Sequence, residues 1–129
     1  MSLFGLPGTS PLALIRANKR IVEKHMALKE IQKQVDDWVL QYKVPYWPVF
    51  EQLARLTEEV GELARELNHR YGSKPKKPSE ELKELDDELA DVIFTVVCMA
   101  NSQGIDLDAG FKRVMDKCYG RDKDRFEKK

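Results

Sequence analysis

Leu53-Ala54-Arg55-Leu56-Thr57-Glu58-Glu59-Val60-Gly61-Glu62-Leu63-Ala64-Arg65-Glu66-Leu67 carries two helical patterns at once. Leu53, Leu56, Val60, Leu63 and Leu67 recur at i, i+3, i+7, i+10 and i+14, the spacing of one helix face. Glu59, Glu62 and Glu66 form a second line about 100° round the wheel, bordering the apolar stripe instead of opposing it. Ordinary surface charges sit opposite the buried face, so this placement favours a semi-buried polar site. The spacing predicts a long helix from about Pro48 to Tyr71, with the leucine and valine stripe turned to the core.

On the C-terminal side, Gly72-Ser73-Lys74-Pro75-Lys76-Lys77-Pro78 is loop by composition, and Ser79 followed by acids resembles a helix start. The helix that follows extends to about Gln103, with Gly104 as its C-terminal cap. Its stretch from Leu89 to Ala100 is apolar apart from Asp91 and Thr95, which predicts burial on several sides and places Asp91 at the edge of a core. Asp106 is placed to cap a last helix over Leu107–Tyr119, and the charged tail from Gly120 to Phe126 reads as irregular. On the N-terminal side, Tyr42-Lys43-Val44-Pro45-Tyr46-Trp47-Pro48 breaks the pattern with two prolines. Before it, Ile31, Val35, Trp38 and Val39 predict a first amphipathic helix from Ala27 to about Tyr42, with Trp38 in its core. The fold class is all-α, a four-helix unit built on an antiparallel helix hairpin.

Residues 1–25 stand apart in composition and charge. His25-Met26 matches a common cloning junction, so this leader is either vector-derived or a native arm packing on a neighbour, and the domain is taken as 26–129. In the 129-residue chain, 22 basic and 22 acidic residues balance, which argues against binding a nucleic-acid polymer or a membrane surface. No apolar run reaches membrane-spanning length. Two cysteines, Cys98 in an apolar run and Cys118 in a charged one, make no disulfide framework, so a reducing cytoplasm is the expected setting.

Chemistry concentrates in two acidic pairs, Glu59/Glu62 and Glu88/Asp91, each spaced i, i+3 on one helix face. A hairpin turning near residues 72–78 brings the two pairs level, each about 13 to 16 residues from the turn centre. Four converging carboxylates repel and resist desolvation; a hard divalent cation removes the difficulty. A single E-x-x-E is commonplace on solvated helices, so the weight rests on the two pairs together. Glu66 and His69 form an E-x-x-H of the kind used in di-iron bundles, but such bundles need a second copy and the only other histidine is His25.

Glu59-Val60-Gly61-Glu62-Leu63, then 25 residues between Glu62 and Glu88, then Glu88-Leu89-Ala90-Asp91-Val92-Ile93-Phe94 resembles the all-α nucleoside triphosphate pyrophosphohydrolases of the MazG type. Their signature is E-x-x-E followed by E-x-x-D, and the resemblance runs from about Ala27 to Phe126. It implies that Glu59, Glu62, Glu88 and Asp91 are catalytic and hold Mg²⁺, with Mn²⁺ as a substitute. Water activated there would attack the α-phosphorus of a nucleoside triphosphate, giving the monophosphate and pyrophosphate. Lys117, Arg121 and Arg125 resemble the family's basic residues for phosphate oxygens. Tyr46 and Trp47 match its aromatic base contacts, and Asn101 an asparagine that meets the nucleotide. Glu58 and Glu84 are candidate proton acceptors.

The resemblance also implies a homo-oligomer, a tetramer built as a dimer of dimers or else a dimer, and a role in clearing surplus or noncanonical nucleotides. Phosphoribosyl-ATP pyrophosphatases share the motif, so it does not choose the base. A catalytically silent helical oligomer that binds nucleotides is the competing reading from another class.

Overall fold

The computed structural model describes residues 27–79 and 84–129. The leader and the expected helix start beyond Ser79 lie outside the described residues. Four helices and no strand make up the described chain: α1 (Leu28–Val39), α2 (Val49–Tyr71), α3 (Leu85–Ser102) and α4 (Leu107–Tyr119). None is long and apolar enough to cross a membrane.

Local chemistry explains where these helices stop. Pro48, extended at ψ 149°, precedes α2; it lacks the N–H that would go unsatisfied in a first turn. α3 ends at Gly104, whose φ of 64° suits a residue without a Cβ. There the Gly104 N–H donates to Asn101 O and the Ile105 N–H to Ala100 O, closing the last turn as a Schellman motif. Asp106 caps α4, its Oδ1 accepting from the N–H groups of Asp108 (3.0 Å) and Ala109 (3.2 Å). α1 is capped from a distance: the Leu28 and Lys29 N–H groups donate to the two oxygens of Asp108 on α4.

α3 lies between α2 and α1, and α4 packs on α1. Val35 and Val39 of α1 meet Val97 of α3, with Ile31, Tyr46, Cys98 and Leu107 against them. Each such side chain stabilises by about 2 kcal/mol when fully buried, so this is a small core. A polar clasp adds to it. The Gln32 amide donates to Asn101 Oδ1 (2.9 Å) and Ile105 O (2.8 Å), and its Oε1 accepts from the Leu107 N–H. Asn101 Nδ2 in turn donates to Gln32 O and to the Tyr46 hydroxyl.

Three expectations about burial are corrected. On α2 the buried residues are Gln52, Glu59 and Glu66; of the expected apolar stripe Leu56 and Leu63 are half-buried, whereas Leu53, Val60 and Leu67 remain 48%, 47% and 40% exposed. Trp38, expected in the core, is 52% exposed. On α3, Glu88 and Thr95 are buried, whereas Leu89, Ile93 and Val96 are exposed. Leu53, Val60 and Leu67 each follow an inward residue by one position, as do Leu89 and Val96. In an antiparallel pair the same rotation on both helices comes out on the same side. Leu53, Val60 and Leu67 of α2 and Leu89 and Val96 of α3 therefore share one face across the back of the hairpin.

Candidate active site

Glu59 stands mid-way along the inward line of α2, and Glu88 and Asp91 lie in the first two turns of α3. One oxygen from each falls within 4.8 Å of the others. Glu59 and Glu88 are 2% and 1% exposed, while Asp91 opens to solvent. Burial pushes the Glu59 carboxyl above the usual carboxylate range; Arg55 opposes the shift, and the charges of Glu62, Asp91 and Glu88 reinforce it. Glu59 Oε1 accepts the Arg55 guanidinium, and its Oε2 is buried with no hydrogen-bond partner among the described residues. Buried acceptors of this kind are costly, and three hard oxygens around one point fit a cation of the Mg²⁺ class. Glu62, the fourth carboxylate of the motif, is half-buried and outside this trio, though near enough to act on Glu59.

Glu59 and Asp91 line a cavity of about 660 Å³ together with Arg55 and five aromatic rings: Trp38, Tyr42, Tyr46 and Trp47 from α1 and the break after it, and Phe94 from α3. Trp38 meets Tyr42 and Phe94 edge-on, at 5.1 and 5.9 Å between ring centroids. The Tyr46 hydroxyl donates to Asp36 and accepts from Asn101. Burial and the Asp36 bond push the phenol up to about 12. Asn101 thus spends its amide on Gln32 and Tyr46, and does not line the cavity.

The basic residues of the C-terminal region are not brought to the carboxylates of their own chain. Lys117 is exposed in the last turn of α4, Arg121 pairs with Asp122 (3.0 Å), and Arg125 lies over the Phe126 ring. None of them lines the cavity. Glu58 and Glu84 are exposed in ion pairs with Arg55 (3.4 Å) and Arg70 (3.8 Å). His69 sits beside the Lys74 carbonyl oxygen at 3.1 Å.

Three residues escaped the sequence reading. Arg55 lies four residues before Glu59, an i, i+4 spacing that was available as a signal. Trp38 looked like core because its spacing matches Ile31 and Val35. Lys76 was given no partner by its place in the loop, but its ammonium donates to both oxygens of buried Glu66, at 2.9 and 3.3 Å, and ties the interhelix loop to α2.

Comparison with known proteins identifies the family. Residues 51–126 match the family model of the MazG nucleotide pyrophosphohydrolase domain. The uncharacterized protein YpjD of Bacillus subtilis (strain 168) is 51% identical over 102 residues, covering 79% of this chain and 92% of that protein. The crystal structure of Bacillus subtilis YPJD superposes with a TM-score of 0.64 at 50% identity, covering 70% of this chain and 93% of the other. A Bacillus-conserved MazG protein, a nucleotide pyrophosphohydrolase, gives 0.61 at 44% identity, covering 70% and 87%. The chain belongs to the MazG nucleotide pyrophosphohydrolase family and is a hydrolase acting on pyrophosphate bonds.

Proposed function

We propose that the protein is a Mg²⁺-dependent enzyme that cleaves nucleoside or deoxynucleoside triphosphates between the α- and β-phosphates, releasing the monophosphate and pyrophosphate. One observation carries this reading: Glu59 and Asp91 open into the same cavity as the aromatic walls, so a single ligand spans both. Its phosphates lie at the acidic end and its base among Trp38, Tyr42, Trp47 and Phe94.

Glu59, Glu88 and Asp91 hold the cation, with Glu62 as the fourth carboxylate beside them. The ion, Mg²⁺ or Mn²⁺ in its place, would supply charge neutralisation and an acidified water. The chain's own part is to fix Glu59 and Glu88 by burial and to hold the base against Trp47 and Trp38. Asn101 serves the base indirectly, by holding the Tyr46 ring in the cavity wall.

The exposed apolar face of the hairpin supports a homo-oligomer, taken as a tetramer formed from two dimers, with a dimer as the smaller option. Leu53, Val60, Leu67, Leu89, Ile93 and Val96 are exposed apolar residues, as expected of a surface covered by a second copy. Lys117, Arg121 and Arg125 would then serve phosphates from a neighbouring copy. The proposed setting is the cytoplasm, where such an enzyme removes surplus or noncanonical nucleotides.

A panel of canonical and modified triphosphates with Mg²⁺, phosphoribosyl-ATP included, tests the reading by separating monophosphate and pyrophosphate from diphosphate and phosphate. Monophosphate with pyrophosphate is the expected product pair. Turnover of phosphoribosyl-ATP alone would move the assignment to that substrate, and diphosphate or no product would overturn it.

A further inference from the structure

Arg55 occupies an unusual place for a residue between two acids. It projects from the side of α2 that carries Glu62, pairs with Glu58 at the surface and with Glu59 in the interior, and lines the cavity beside Trp47. Its side chain is 48% exposed, whereas that of Glu59 is 2% exposed. The buried partner is therefore fixed and the exposed one has room to move. Arg55 and a divalent cation would also seek the same carboxylate. Glu59 lies in the group whose oxygens fall within 4.8 Å of one another, and one of its two oxygens already accepts the guanidinium. A planar fork of donors that leaves a carboxylate is well shaped to take up a phosphate instead.

We propose that Arg55 is an exchangeable cation: it holds Glu59 until a divalent ion arrives, then releases it and turns into the cavity to bind the non-bridging oxygens of the nucleotide's phosphates. The proposal rests on the metal-dependent pyrophosphohydrolase reading and gives one side chain two effects of opposite sign. Removing the guanidinium frees Glu59 for metal but deprives the phosphates of a donor. A fixed arginine that merely orients Glu59 would move both quantities the same way.

The test measures Mn²⁺ affinity without nucleotide, from the loss of the free-ion electron paramagnetic resonance signal, and separately the KM for the best triphosphate. Wild type is compared with Arg55→Gln and Arg55→Lys. Arg55→Gln is expected to bind Mn²⁺ about 3- to 10-fold more tightly while its KM rises about 10-fold or more, the size of a lost charge-assisted contact. Arg55→Lys, which keeps charge without the fork, is expected to fall between, and it carries the comparison if the glutamine variant does not fold. Weaker or unchanged Mn²⁺ binding in the variants overturns the exchange, as does an unchanged KM. Wild type that fails to bind Mn²⁺ overturns the metal assignment and the proposal with it. Binding without turnover of any triphosphate removes the enzymatic reading and the phosphate half of the exchange, while the metal titration still decides the competition at Glu59.

Discussion

Two lines on α2, one residue apart, have exchanged the usual roles of charge and grease. Gln52, Glu59 and Glu66 are buried against α3; Leu53, Val60 and Leu67 face outward. In an isolated chain this arrangement is expensive on both counts, since buried carboxylates need counter-charge and exposed leucines need cover. The buried line is itself divided. Glu66 has its cation inside the chain, in Lys76, whereas Glu59 has one oxygen on Arg55 and another with no hydrogen-bond partner among the described residues. Glu66 is satisfied within the chain, whereas the proposed function gives the open oxygen of Glu59 to a cation. The apolar line is the face that the proposed homo-oligomer would cover with a second copy. Difference in partner, not in residue type, separates scaffold from site.

Glu59→Gln should break the comparison most sharply. It keeps the shape and removes the charge, so turnover should fall about 1000-fold or more, measured as pyrophosphate release. Stability should move the other way. The Glu59 carboxyl titrates above its unfolded value, so the native state binds the extra proton and loses stability as pH rises from that value through the folded one. Without metal, the melting temperature of Glu59→Gln relative to wild type should therefore increase with pH across that window. A variant that loses stability at pH 8 would mean that the charge is structurally needed.

Next in size is the outward line. Val60→Asp places a charge in the proposed interface and should weaken association about 100-fold or more. Sedimentation at micromolar concentration should then find the 14.9 kDa chain in place of a larger species. An unchanged mass would leave that face without a second copy. Trp38→Ala tests the aromatic wall, and KM should rise about 10-fold, in line with loss of one stacking contact, with kcat little altered.

Smallest is Lys76→Met. Its bond and charge hold the Glu66 carboxyl below the ordinary range, so the pair stabilises above the unfolded value and the benefit disappears as pH falls through the folded one. The variant should melt a few degrees lower at neutral pH, approach wild type in acid and keep its turnover. A large loss of activity would move Lys76 from the scaffold into the site.

Most of the helical frame was legible because its signals are local. Gly104 and Asp106 end one helix and begin the next by chemistry contained within a few residues, and the two prolines at 45 and 48 interrupt the chain where its composition suggests. The acidic motif was legible as spacing, and three of its four carboxylates do meet. Which stripe of α2 turns inward was not legible, since both have the same period and only the docking of α3 distinguishes them. Trp38 failed for a related reason: periodicity places it on a face but does not say whether that face closes on a core or on a cavity. The Asn101 network joins residues 32, 46 and 101, a separation at which no local pattern speaks.

α3 touches α2, its neighbour in the chain, and also α1, which lies beyond α2 in sequence. The hairpin that holds the carboxylates therefore closes a short loop, while α1 must return across the whole length of α2 before Trp38 can form the cavity wall. The acidic half of the pocket belongs to a unit that assembles locally, and the aromatic half to one that docks onto it. A ligand filling the cavity would then act as a staple on α1: amide hydrogens there should slow their exchange more than those of α2 when a nucleotide is bound.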